Sequence, residues 1–171
     1  MNFWMSILRL VHIFGGIMWA GSGLFLAGFV LPASKLMGKE GQAFMQTLTG
    51  RTRFSQMMAA SSGSTLLSGL IMYYLLFGFL APLNTGPGLA LTVGGLAGIG
   101  AFIVGTVVQG GSARRMEAIG KAVAAAGGPP SPEQLAELEQ LQEHNARGAA
   151  ITSFLFVIAI AGMTLSEYFT L

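Results

Sequence analysis

The sequence predicts an all-α, polytopic membrane protein: an antiparallel bundle of four transmembrane helices with an amphipathic helix on the cytoplasmic side. Three observations lead there. Of the 171 residues, 53% are hydrophobic and only 9% are charged, whereas soluble globular domains carry about 25% charged residues. A surface with so few charges needs lipid as its solvent. Four stretches reach the roughly 20 mostly apolar residues that a helix needs to cross the hydrocarbon of a bilayer. Eight of the nine Lys and Arg residues fall in two connections on the same side, which the positive-inside rule makes cytoplasmic. Residues 1–171 form a single transmembrane domain in this reading.

The first span runs over about 8–31 and is expected to stop at Pro32, because proline disfavours helix in the residue before it. Arg9 is its only charge, and with no short apolar region before a cleavage site it is expected to remain as an anchor. The connection 33–53 carries Lys35, Lys39, Glu40, Arg51 and Arg53. A short interfacial helix fits within 33–50, although Gly38 and Gly41 weaken it. The second span covers about 54–80 and is expected to end at Ala81-Pro82. Then "APLNTGPG", 81–88, is an uncharged turn that makes the second and third spans antiparallel neighbours.

The third span covers about 89–109. The connection that follows holds Arg114, Arg115, Lys121, Arg147 and five glutamates. It breaks at Gly127-Gly128-Pro129-Pro130 and restarts as a loop helix over about 131–147. Ser131 suits the N-cap, Pro132 the first turn, and Gln134 completes a capping box. Leu135, Leu138 and Leu141 recur at helical spacing. They read either as a docking stripe for a cytoplasmic partner or as a stripe laid on the neighbouring loop, the simpler reading. The fourth span covers about 149–168, so both termini face the extracytoplasmic side.

Several chemistries are excluded at once. The chain has no cysteine and no aspartate, which removes disulfides, thiolate ligands and a Ser-His-Asp triad. Its net charge of +2 is dispersed between apolar runs, so no basic face offers itself to nucleic acid. Glycine is abundant, with 25 residues, and patterns such as Gly94-xxx-Gly98 let helices approach closely in lipid. The run "SSGSTLLSG", 61–69, fits hydroxyls that bond back to their own helix.

What remains for chemistry gathers near the outer end of the first span. Met5, Arg9, His12, Gly16 and Trp19 follow one another at spacings of three or four, hence on one face. Three readings compete for His12. It suits a b-type haem ligand, with Gly15 and Gly16 leaving room for the porphyrin and Arg9 available to a propionate. It equally suits a copper site with Met5, Met72 or Met163 as soft thioether ligands. The plain alternative is a neutral histidine bonded to a backbone carbonyl or to Tyr73. A haem would take its sixth ligand from a Met, a Tyr or water, keep an open position, or use His12 of a second copy in a homodimer, since His144 belongs to the opposite side. Arg9 is expected to pair with Glu167. A further reading makes the chain an accessory or scaffold subunit of a larger membrane complex, packing through its glycine faces.

The stretch "LRLVHIFGGIMWAGSGLFLAGFVLP" resembles the first helix of CopD-type copper-resistance proteins and HemJ-type protoporphyrinogen oxidases. The matching residues are His12, Trp19, Ala20 and Gly21. Through "GPGLALTVGGLAG" and "GGPPSPEQLAEL" the whole chain looks similar to a bacterial family of four-helix integral membrane proteins. The resemblance implies haem or copper at His12; with the histidine, arginine and glycine on one face of the first span, electron transfer in the bacterial inner membrane is the expected role.

Overall fold

In the computed structural model, which describes residues 3–78 and 83–169, the chain folds into five helices. They are α1 (Phe3–Leu36), α2 (Lys39–Gly50), α3 (Phe54–Phe77), α4 (Gly86–Ala126) and α5 (Pro132–Tyr168). Among the described residues there is no strand. All but α2 are long and apolar enough to cross a membrane.

Four helix boundaries differ from the sequence reading, each for a local reason. Pro32 does not end α1. It follows a wider helical turn, Leu26–Val30, in which hydrogen bonds already reach the fifth residue, and such a turn relieves the ring's clash with the preceding carbonyls. The helix stops instead at Gly38, whose φ of 58° only glycine adopts freely. Gly41 then lets α2 fold back, since a Cβ there would collide with the backbone of Ser34. In α3 the helix ends at Gly78, φ 69°. Ala81 and Pro82, expected to be its stop, lie outside the described residues.

The third and fourth spans do not end where their apolar runs end. Thr85 caps α4 by accepting from the Gly88 amide at 3.3 Å. The helix then passes the expected end near Gln109 through another wide turn of the same kind, Val104–Gln109, and continues to Ala126, where Gly127 at φ 65° closes it. The loop helix is not separate either. Ser131 and Gln134 form the capping box, and one uninterrupted helix continues into the fourth apolar run. No glycine-proline break separates 147 from 149, so nothing local stops it. At about 1.5 Å per residue, α4 and α5 are roughly 60 and 55 Å long, well beyond an apolar layer of about 30 Å. Their charged halves project past it as a hairpin, joined by Arg115 and Glu137 at 2.6 Å and by buried Ile119.

Packing follows residue size. Antiparallel α1 and α3 meet through Gly15, where a Cβ would lie 2.6 Å from Thr65 Oγ1 and 3.1 Å from the Ser61 carbonyl. Antiparallel α4 and α5 meet through Gly94 and Gly162, whose backbones are in direct contact. Gly98, the partner expected for Gly94, makes only ordinary contact with Met163. The four long helices converge on one layer in which Trp19 stands edge-on to Phe156, 4.9 Å between centroids, and to Phe102 at 6.2 Å, with Met58 alongside. Buried positions are mostly Ala, Gly, Ser and Thr, while Phe14, Phe154, Leu96 and Val107 point outward. That inversion suits lipid, where close backbone approach rather than exclusion of large apolar side chains from water holds helices together.

Candidate functional site

The α1–α3 seam builds the site. His12 sits one turn from Gly15, and the close approach at Gly15 brings its ring against α3. Nδ1 lies 2.8 Å from the main-chain carbonyl of Thr65. A carbonyl only accepts, so Nδ1 carries the hydrogen and donates it. In the neutral imidazole this leaves the lone pair on Nε2. The Ser68 hydroxyl stands 3.5 Å from the same Nδ1, at the limit of a hydrogen bond. The ring occupies a notch made by Gly69, where a Cβ would be 2.7 Å from the imidazole Cε1. His12 is half-buried.

The hydroxyls around it are spent on their own helix. Ser61, Ser64, Thr65 and Ser68 donate to Met58, Ser61, Ser61 and Ser64 carbonyls at 3.2, 3.1, 2.7 and 2.6 Å. The serine run is therefore a small face whose hydroxyls bond back to their own helix. Two further polar contacts tie the other seams: Tyr73 hydroxyl to Thr92 Oγ1 at 3.0 Å, between α3 and α4, and Gln109 donating to Thr152 at 2.9 Å, between α4 and α5.

Of the residues the sequence grouped with His12, the structure brings some together and separates others. Gly15 is buried beneath α3 and Gly16 lies within 3.8 Å of the Thr65 methyl carbon, measured to an added Cβ. A Cβ added at Gly15 would meet α3, whereas at Gly16 only the Thr65 methyl lies within 4 Å, and a groove of about 390 Å³ opens beside Gly15 between α1 and α3, lined by Val11, Phe14, Met18, Met57 and Ala60. Trp19 is 8% exposed and packs in the aromatic layer. Tyr73 reaches α4. Met163 lies in the α4–α5 seam beside Gly94 and Gly98. Met5 and Met72 are half-buried on α1 and α3, toward the same end as His12. Arg9 is exposed one turn above it. The expected Arg9–Glu167 ion pair is not formed. Arg9 belongs to the helix that packs on α3, whereas Glu167 ends the helix that packs on α4. The three ion pairs among the described residues lie in the projecting hairpin.

Sequence reasoning missed Gly69 as the residue that accommodates the imidazole. The signal was present as small residues at 61, 65, 68 and 69, spaced to face one neighbouring helix. Among the described residues no three His, Asp or Glu side chains gather to hold a metal ion. His144 is exposed in the projecting hairpin, remote from His12. No protein family, curated protein or solved structure matches this chain.

Proposed function

We propose that this chain is a four-span protein of the bacterial inner membrane, an antiparallel bundle with both termini extracytoplasmic, in which His12 offers Nε2 to a haem iron or a copper ion. One observation carries the ligand reading. An imidazole inside the apolar layer has its Nδ1–H fixed by a main-chain carbonyl, the arrangement that sets the tautomer and orientation of metal-ligating histidines. An ionisable residue at that depth marks a functional site by default.

The donor chemistry fits either group as a single imidazole ligand. For copper, Met5 and Met72 are the thioethers on the same seam. For a b-type haem, Arg9 is the cation on the same face of α1. The glycines serve packing in both cases. A metal held at Nε2 would supply one-electron chemistry. The chain's own contribution is to hold one tautomer, through Thr65, and to keep bulk from the ring edge, through Gly69.

A second reading, an accessory or scaffold subunit of a membrane complex, draws on the same geometry. The His12–Thr65 bond then acts only as an interhelical clamp, like the Tyr73–Thr92 and Gln109–Thr152 bonds in the other seams. The test is an absorption spectrum of protein expressed with ample haem, together with metal analysis after loading with Cu(I). The ligand reading expects a Soret band or stoichiometric copper in the wild type and loss of that signal in His12→Ala. Neither signal in the wild type, or a signal unchanged by His12→Ala, overturns it and leaves the clamp.

A further inference from the structure

A shallow apolar groove of about 340 Å³ runs along the α1–α2 corner, lined by Phe25, Phe29, Val30, Ala33, Met37 and Phe44. It starts well inside the apolar part of α1 and climbs to the charged end of that helix, about 15 Å from Phe25 to Lys35. At that end stand Lys35 and Lys39, both exposed. Neither joins an ion pair among the described residues, and Glu40 is the only acid in the segment 33–53. The projecting hairpin differs, because Arg115, Lys121 and Arg147 each meet a glutamate.

An apolar trough leading up to two exposed lysines matches one kind of molecule. We infer that the α1–α2 corner binds an anionic phospholipid, with an acyl chain along Phe25, Phe29 and Phe44 and its phosphate between Lys35 and Lys39. The inference rests on the membrane reading and not on any role of His12. The chemistry is that of basic segments beside a membrane helix, which attract anionic headgroups, combined with burial of a lipid chain against aromatic side chains. Gly41 is what makes the corner, by letting α2 fold against Ser34 so that Phe44 faces the α1 aromatics.

The experiment titrates the full chain in neutral detergent with fluorescent phosphatidylglycerol and with phosphatidylcholine of the same acyl chains. The expected result is saturable phosphatidylglycerol binding at least about tenfold tighter than phosphatidylcholine. Removing charge with Lys35→Gln/Lys39→Gln should erase most of that preference, and filling the trough with Ala33→Trp should weaken phosphatidylglycerol with every charge retained. Soluble glycerophosphoglycerol, which has the headgroup and no acyl chain, should not compete. Equal affinity for the two lipids, or a preference that survives both variants, overturns the site. Effective competition by glycerophosphoglycerol overturns the groove. Recovery of the chain in the aqueous fraction of lysed cells would instead remove the membrane reading itself, a distinguishable failure.

Discussion

Gly69 and His12 work as one unit. The imidazole reaches the Thr65 carbonyl only because the residue one turn on has no side chain, and the bond in turn fixes which nitrogen faces outward. Glycine is needed at some positions of this seam and not at others. At Gly15 an added Cβ meets Thr65 Oγ1 at 2.6 Å and the Ser61 backbone at 3.1 Å, while at Gly16 the nearest atom is 3.8 Å away. Gly15→Ala and Gly69→Ala should therefore each lower stability, by about 1–3 kcal/mol for an overpacked core position, and Gly16→Ala should change it by less than about 0.5 kcal/mol. Thermal unfolding in detergent checks the order; equal effects at all three positions would contradict the packing. The candidate histidine itself was legible in the sequence, since a lone imidazole in an apolar run stands out. Its partners were not. A backbone carbonyl carries no sequence signature, and the same small residues that invite a porphyrin also invite a helix.

At the scale of elements, apolar content located every span and misjudged where helices stop. A run of hydrophobic residues ends where lipid ends, whereas a helix ends where its backbone is interrupted. Nothing interrupts α4 between Gln109 and Ala126 or α5 between Arg147 and Ala149, so both continue past their apolar runs. Glycine with positive φ marks the stops at 38, 78 and 127, and the wide turn before Pro32 explains why proline does not. The projecting hairpin is held by Arg115, which donates to both Glu137 oxygens at 2.6 and 3.1 Å. That hydrogen bond, with the guanidinium charge, holds the Glu137 carboxyl below its ordinary pKa. A lowered folded-state pKa means the contribution is complete above the ordinary value of about 4.3 and fades as pH falls through the lowered one. Spin labels at Ala118→Cys and Gln140→Cys should show one narrow distance near neutral pH that broadens in that acidic window. Arg115→Gln should broaden it at both, and a distance insensitive to the variant would show that the ion pair does not hold the hairpin.

At the scale of the molecule, size and polarity are distributed inside out. Small and hydroxylated residues form the contacts between helices, and large apolar side chains form the perimeter. Among the described residues, polar ties in the α1–α3, α3–α4 and α4–α5 seams add modest adhesion, about 0.6 to 2 kcal/mol each for such bonds in lipid. This arrangement makes sense only with lipid around it. The all-helical character and the helices apolar enough to cross a membrane were readable in the sequence, from 9% charged residues and four long apolar stretches. The convergence of Trp19, Phe102 and Phe156 on one layer was not, since it depends on the register that the glycine contacts impose. The proposed topology puts the basic connections inside. The chain has no cysteine, so single introduced cysteines report that assignment directly. Treated with a membrane-impermeant maleimide from the extracytoplasmic side, Asn84→Cys should label in sealed spheroplasts and Gly128→Cys only after permeabilisation. Labelling of both from one side, or of Gly128→Cys before permeabilisation, would contradict a four-fold crossing with the charged hairpin inside.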